Sequence, residues 1–456
     1  MTQKPSTFEP ATSQPTLHDI AAVWWPLAIS WLLMSVEGPA HSAIVSRLAE
    51  PEIHLAAWGG IVFPISLLME SPIVMLLSAS TALSTDWDAY KKLRRFMLVL
   101  GAILSLIHIS IAFTPLYDIV TRRIIGAPEA IIEPGRLGLM IMTPWAWSIG
   151  YRRIQQGIMI RFGHSRAVGT GTLIRLLANA VVLTAGYLVK TIPGIVVASG
   201  AVTAGVVAEA TFAGLRARPI IRQYLLPAPH HEPAITLSSL LKFYIPLAIT
   251  TMVSFFVSPL GSAAMSRMPN PLASLAVWPV LYGLIFILRS PCMAVNETVI
   301  AVINKPGALK NLRIFIRVLA WAVVGLTLLI SATPLADIWL EGLMALPADL
   351  LSLARNSLWL ALLLPFFALL MNWYQGLIVS SQQTRGVTEA VFLYIAVIAC
   401  VLFIGIKMHR VTGLYVALVA YEIAGLVQGL WLWWRSRPAV SHHLSTGINR
   451  ADFSVY

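Results

Sequence analysis

The chain has 456 residues, 57% of them hydrophobic and only 11% charged, with a formal net charge of +12 and a mean hydropathy of +0.77. Soluble domains carry roughly 25% charged residues, and a soluble fold has too little interior for this much apolar sequence; the composition therefore excludes a soluble globular class and points to a bilayer, where lipid is itself the apolar solvent. The positive charge collects in loops at one side of that bilayer and gives no reason to invoke nucleic acid.

In chain order, residues 1–20 are polar, hold Pro5, Ser6, Pro10, Ser13 and Pro15, and lack the basic start and short apolar core of a cleavable signal. We read them as a disordered cytoplasmic tail. A spanning helix needs about 20 mostly apolar residues. Such runs fall at 21–46, 54–82, 96–116, 137–160, 168–190 and 192–215, then at 241–266, 273–303, 314–334, 352–380, 386–406 and 411–434. Between the two sets lies a basic segment, 216–240, whose Pro219, Pro227, Pro229 and Pro233 predict an extended cytoplasmic linker. Residues 435–456 read as a second cytoplasmic tail. The expected fold is all-α and membrane-integral, with an amino-terminal six-helix lobe at 21–215 and a carboxyl-terminal one at 241–434.

Lysines and arginines set the orientation. With an even number of spans both termini share one side. That side receives Lys91, Lys92, Arg94 and Arg95, then Arg161, Arg166, Arg216, Arg218 and Arg222. In the second set it receives Lys305, Lys310, Arg313, Arg317, Arg385, Arg435 and Arg437. The opposite loops hold most of the loop acids: Glu50, Glu52, Asp118, Glu129, Glu133, Asp337, Glu341 and Asp349. One opposite loop departs from the rule by carrying Arg122, Arg123 and Arg136. The expectation is a multi-pass protein of the inner (plasma) membrane, monomeric, with both termini cytoplasmic. Trp24, Trp25, Trp87, Trp431, Trp433 and Trp434 sit near span ends and read as interfacial anchors.

The strongest signal is internal. Val23-Trp-Trp-Pro-Leu-Ala-Ile-Ser30 recurs as Phe243-Tyr-Ile-Pro-Leu-Ala-Ile-Thr250, an offset of 220. The same offset matches Pro39 to Pro259, Ser46-Arg47 to Ser266-Arg267, and Trp58 to Trp278. At an offset of 219, Ser71-Pro72 matches Ser290-Pro291, Thr114-Pro115-Leu116 matches Thr333-Pro334-Leu335, Asp118 matches Asp337, and Gln156-Gly157 matches Gln375-Gly376. Six spans per copy start both copies on the same side, so the repeats are parallel, related by an axis along the membrane normal. Two such lobes enclose a cleft that rocking exposes to each side in turn.

The pattern aromatic-x-x-Pro-Leu-Ala-Ile, a proline thirteen residues later, then Ser-Arg, resembles the progressive ankylosis protein family, most closely over Phe243–Arg267 and the following Leu275-Ala276. More distantly the chain is similar to multidrug and toxic compound extrusion (MATE) transporters and lipid-linked glycan flippases. The resemblance implies a twelve-helix, two-lobed, V-shaped export fold. Members expel small organic ions, metabolites or drugs, or flip lipid-linked sugars, and the motif does not choose among these.

Ionisable residues at span centres cost several kcal/mol and mark function. Glu70 and Arg289 occupy one repeat position, before Ser-Pro, on opposite walls of the expected cleft. They read as a gate pair meeting across the axis, or as a permanent ion pair, or as residues with separate partners. Glu37, in Glu37-Gly-Pro39-Ala-His41, lies beside a helix break that frees a carbonyl. It reads as a cation-coupling site with His41, or as a hydrogen-bond partner of that histidine one turn on. MATE-type transporters often carry a functional acid in their first span, which the resemblance places at Glu37.

Arg152 and Arg153 point in different directions on the fourth run; with Arg175 and Arg289 they favour an anionic substrate held by guanidinium contacts. Glu37, Glu70, Glu209, Glu297 and Glu422 offset them, so the sum leaves this open. Gln156 and Gln375 read as cleft hydrogen-bonders or interhelical glue. Glu209 and Glu422 read as structural partners of basic loops. Cys292 and Cys400 read as small buried hydrophobes.

No phosphate loop, zinc pattern or channel filter occurs. The expectation is no enzyme and no cofactor beyond a proton or sodium gradient. The partners expected are a small-molecule substrate and membrane lipid. The function expected is ion-coupled export by alternating access, with flipping of a lipid-linked saccharide as the alternative.

Overall fold

The computed structural model describes residues 14–229, 236–381 and 385–451. Its two halves begin alike. Thr16 and Thr236 each cap a first turn with the side-chain hydroxyl, and the third helical residue, Asp19 or Ser239, reaches back to the cap. The helices so started, Leu17–Ser35 and Leu237–Phe255, break at Val36 and Phe256 and resume as Glu37–Val45 and Val257–Met265. Pro39 and Pro259 fall in the first turn of the second pieces, where a missing N–H costs nothing. Glu50 and Asn270 then turn through left-handed backbone into Pro51 and Pro271. Thr114 and Thr333 end the third helix of each half, each accepting a backbone N–H two residues on. The sequence repeat is thus a repeat of helix stops as well as of apolar runs.

Among the described residues the protein is all-helical. Eleven helices are long and apolar enough to cross a membrane: Leu17–Val45, Pro51–Glu70, Trp87–Phe113, Ser165–Val189, Gly194–Leu225, Leu237–Met265, Pro271–Val302, Ala308–Ala332, Ala348–Ser380, Arg385–Met408 and Gly413–Pro438. The expected fourth span, 137–160, is divided into Ile132–Ile141 and Trp145–Arg161. The second piece carries Arg152, Arg153, Gln155 and Gln156, and this polar content keeps it out of the apolar set. By its place in the chain it is the fourth span of the first half.

Three expectations shift. The linker is shorter than 216–240: helix continues through Pro219 to Ile220 and a wide turn to Leu225, and the seventh span starts at Leu237. Apolar packing holds Ile220 and Leu225 in the first half, which overrides the linker prolines. The expected tail at 435–456 continues as helix to Ala451. Of the expected tail at 1–20, residues 1–13 lie outside the described residues and helix already begins at Leu17. Cys292 is buried, but Cys400 is exposed on the eleventh span.

Loops 46–50, 114–131, 266–270, 333–347 and 409–412 meet at the end away from residue 14, here the far end. One apolar cluster there belongs to both halves: Val45, Leu55 and Ile131 pack with Met265, Leu275 and Leu340. Toward the other end the packing divides. Ile73, Leu93, Ile154 and Ile220 gather in the first half, joined by Tyr244 of the seventh span. Val295, Leu312, Leu369 and Leu377 gather in the second, joined by Ile20 of the first span. Each half therefore lends the start of its first helix to the other. Trp24, expected as an interfacial anchor, donates its indole N–H to the Pro291 carbonyl at 2.9 Å along this seam. Farther along the same seam the backbones touch: a Cβ on Gly283 would sit 2.9 Å from Pro39 Cγ.

Two arginines clasp the far end. Arg47 Nη1 donates to the Leu343 carbonyl at 2.8 Å and Nη2 to Gly342 at 2.9 Å. Its repeat mate Arg267 donates from Nη2 to the Arg123 carbonyl at 3.0 Å and from Nη1 to Ile125 at 2.5 Å. Each guanidinium leaves the end of its own half's first span and caps the carbonyl end of a wide helical turn in the other half. Those carbonyls carry the negative end of the helix dipole. Two of the three loop arginines that depart from the charge rule, Arg122 and Arg136, are also neutralised at this end. Arg122 pairs with Asp118 at 3.1 Å and with Glu129, and Arg136 pairs with Asp118 at 3.0 Å.

Charge-assisted hydrogen bonds are worth about 1.5–3 kcal/mol each, so removing both clasps is expected to loosen the packing of the far end. In a cysteine-free background with one cysteine at Ala336, buried in the far-end core, the double variant Arg47→Gln/Arg267→Gln is expected to react with a membrane-impermeant maleimide at least about tenfold faster than the parent. Equal rates would show that the clasps do not hold the far end shut.

A buried charge network in the first half

The break at Val36 puts Glu37 at the start of a new helical segment, aimed into the first half. Glu37 meets the fifth span: Asn179 Nδ2 donates to Glu37 Oε1 at 2.6 Å, and Arg175 Nη2 lies 3.0 Å from Glu37 Oε2. Arg175 and Asn179 are four residues apart, which places both on one helix face. Arg175 also reaches toward the sixth span, with Nη1 3.7 Å from Glu209 Oε2. On that same carboxylate converge Arg152 of the fourth span, through Nη1, and Gln156, whose Nε2 donates at 3.0 Å. Arg152 and Gln156 are again four apart. The result is a chain, Glu37–Arg175–Glu209–Arg152, that ties four spans together. Side-chain exposure falls along it from 18% at Glu37 to 1% at Glu209.

Glu70 and Arg153 flank the chain. Glu70 is buried in the second span, makes no ion pair with a described residue, and lies in the fields of Arg153, Arg152 and Arg175. Glu37, Glu70 and Glu209 thus face Arg152, Arg153 and Arg175, three acids against three arginines. Compensation of this kind is what permits ionised groups at membrane depth.

The sequence-predicted residues divide into two sets. Glu37, Arg152, Arg175 and Gln156 come together with Arg153 and Glu70 close by. His41 is buried next to them, near Glu37, Arg175 and Asn179, but its Nε2 has no partner and the Glu37 oxygens go to Asn179 and Arg175 instead. Glu70 and Arg289 are not joined in this conformation. Arg289 acts on Tyr394 and Cys292 of its own half. Gln375 makes no side-chain hydrogen bond with a described residue, unlike Gln156. The second half has Gln428 at the repeat position of Glu209, so no carboxylate waits for Gln375 there.

Asn179, uncharged and mid-span, escapes the sequence reading yet is a full member of the network; Glu209, read both as an offset to the span arginines and as a partner of basic loops, is its hub and serves the arginines. A signal for both exists in the repeat. At an offset of 219, Arg175, Asn179 and Glu209 map to Tyr394, Ile398 and Gln428, and Glu37 maps to Val257 at 220. Charge present in one copy only marks this lobe. Glu422, also expected to serve basic loops, instead accepts the Leu363 N–H at 2.9 Å, in the break before the helix Leu364–Ser380. Among the described residues no three His, Cys, Asp or Glu side chains gather as a metal site.

Removing one member of a buried ion pair leaves the other uncompensated, at a cost of about 3–5 kcal/mol. Arg152→Gln and Glu209→Gln are each expected to lower the thermal unfolding midpoint in detergent, and the double variant to unfold above either single one. Additive losses in this double-mutant cycle would show that the pair is not coupled.

No protein-family model matches the sequence, and no curated protein does. Solved structures do match in fold. An inward-facing conformation of a MATE family multidrug resistance transporter of the MOP superfamily aligns with a TM-score of 0.62 at 13% identity, covering 92% of this chain and 99% of that one. The lipid II flippase MurJ in an inward closed conformation aligns at 0.64 and 15%, covering 93% and 90%. A MOP superfamily transporter from Pyrococcus furiosus aligns at 0.59 and 14%, covering 96% and 99%. The chain has the fold of the MATE and MOP superfamily transporters.

Proposed function

We propose that this protein is an ion-coupled secondary transporter that exports small organic anions by alternating access, placed in the inner membrane with both termini cytoplasmic. The observation that carries this reading is the compensated chain Glu37–Arg175–Glu209–Arg152, set inside one half of a two-lobed fold whose lobes share one core at the far end and are joined toward the other end by the exchanged starts of their first helices. A cation arriving at Glu37 competes with Arg175 for the carboxylate. The released guanidinium then turns to Glu209, whose hold on Arg152 weakens in turn. Charge state at the first span is thereby communicated to the fourth, fifth and sixth. With the termini cytoplasmic, the clasped far end is the outer gate and this conformation faces inward, as one of the matching structures does.

Gating by Glu70 and Arg289 belongs to the opposite conformation, in which the near ends of the second and eighth spans close on each other. The narrower likeness to the progressive ankylosis family rests on Phe243–Arg267. Flipping of a lipid-linked saccharide is the second reading, favoured by the match to a lipid II flippase. The chemistry requires no enzyme activity and no cofactor other than a proton or sodium gradient.

Profiling spent medium from cells with and without the protein tests the reading. Specific organic anions are expected to accumulate outside cells that make the wild type and to fall to the background level with Glu37→Gln. Unchanged export by Glu37→Gln would remove that residue as the coupling site. Medium indistinguishable with and without the wild type, together with lipid-linked saccharide retained on the inner leaflet when the protein is missing, would favour the flippase.

A further inference from the structure

The second half treats its interior differently from the first. Where the first half has Glu37, Arg175 and Glu209, the second has Val257, Tyr394 and Gln428. Its one span-centre guanidinium, Arg289, makes no hydrogen bond or ion pair with a described residue, and its Nε is buried without a partner. No acid among the described residues pairs with it. Glu70, its repeat mate, makes no ion pair with a described residue and lies in the field of Arg153, and Glu422 gives Oε1 to a backbone N–H while its Oε2 stays buried without a partner. An uncompensated arginine at this depth costs several kcal/mol unless it has a counter-charge.

Beside Arg289 runs an aromatic ladder. Trp278, Tyr282, Phe286 and Arg289 lie four, four and three residues apart on the eighth span, hence on one face. The ring centroids of Trp278 and Tyr282 are 5.4 Å apart, and those of Tyr282 and Phe286 are 5.9 Å apart and nearly parallel. Tyr421 of the twelfth span stacks on Trp278 at 5.5 Å. Tyr394 of the eleventh span lies in the field of Arg289 and close to Tyr282. The hydroxyls of Tyr282, Tyr394 and Tyr421 hydrogen-bond no described residue; Tyr282 and Tyr394 are half-buried, and Tyr421 is buried against the far-end core. Aromatic faces, free hydroxyl donors and an unpaired guanidinium therefore converge on one wall. From Tyr282 to Arg289 the helix rises about 10 Å, the length of a one- or two-ring acid lying along it.

Resting on the transporter reading above, we propose that this wall is the substrate site and that its ligand is an aromatic organic acid, its ring on the Trp278–Tyr282–Phe286 ladder and its carboxylate on Arg289. The first half then handles the coupling cation and the second half the cargo. The neutral isostere of such an acid loses the charge-assisted contact, and a saturated ring of equal charge loses the stacking.

Equilibrium binding to the purified full-length protein in nanodiscs tests this, with naphthalene carboxylate as the probe. Naphthalene carboxamide and cyclohexane carboxylate are the controls. The site predicts that the carboxylate binds at least about tenfold more tightly than either control. Arg289→Gln is expected to abolish that preference, Arg289→Lys to keep part of it, and Tyr282→Leu to weaken the aromatic acid but not the saturated one. Retention of preference by Arg289→Lys shows that the variants are folded. Equal binding of acid and amide, an unchanged Arg289→Gln, or no binding by the wild type would overturn the site. Flux into proteoliposomes separates this from the transport reading. Binding without flux of any organic anion would retain the site and remove transport, whereas flux of other anions without naphthoate binding would do the reverse.

Discussion

A charge in a bilayer must be answered by another charge, and in this protein Glu209 provides the answer for much of one half. Its carboxylate holds Arg152 and Gln156 of the fourth span and faces Arg175 of the fifth, which in turn holds Glu37 of the first. None of these groups would be tolerated alone at that depth. Together they form a balanced set of three acids and three arginines once Glu70 and Arg153 are included. The network is also strategic, because every link joins a different span. On the transport reading, a change at Glu37, the most exposed of the four linked charges, is passed to the fourth, fifth and sixth spans.

Duplication supplies the rest of the mechanism. Each half places an arginine at the far end of its first span, and each arginine reaches carbonyls of the opposite half. On the transport reading, two equivalent clasps related by a twofold axis favour a two-position device over a continuum. The seams formed by Trp24 with Pro291 and by Tyr244 with Pro72 run toward the other end. They hold the start of each half's first helix against the other half. Small residues on the seam, Gly59 and Gly283, bring backbones within contact of Pro279 and Pro39 and leave little room for slack.

Much of this is legible in the sequence. The apolar runs give the spans, and the offset of 219–220 predicts matching caps, breaks and turns that recur at Thr16 and Thr236, Val36 and Phe256, Glu50 and Asn270. Glu37, Arg152 and Arg175 are recognisable because ionised residues are rare inside spans. Pairing is not legible. Symmetry matches Glu70 with Arg289, yet each faces residues of its own half, since rotation places equivalent positions apart as readily as together. Glu209 looks peripheral because its sixth span runs on to Leu225, beyond the edge that apolarity indicates, which moves Glu209 toward the helix middle. Arg122 and Arg136 look like exceptions to the charge rule, and only folding brings Asp118 to both.

The central claim is that two lobes exchange a closed far end for a closed near end. Spin labels at Ala130 and Ala348 report the far end, and labels at Ser165 and Asn304 report the near end. Pulsed dipolar spectroscopy on each pair in nanodiscs, across a range of pH and sodium, measures the exchange directly. Alternating access predicts two distance populations per pair that change in opposite senses, the far-end pair lengthening as the near-end pair shortens. A single unchanging population at both ends, or both distances growing together, would contradict it.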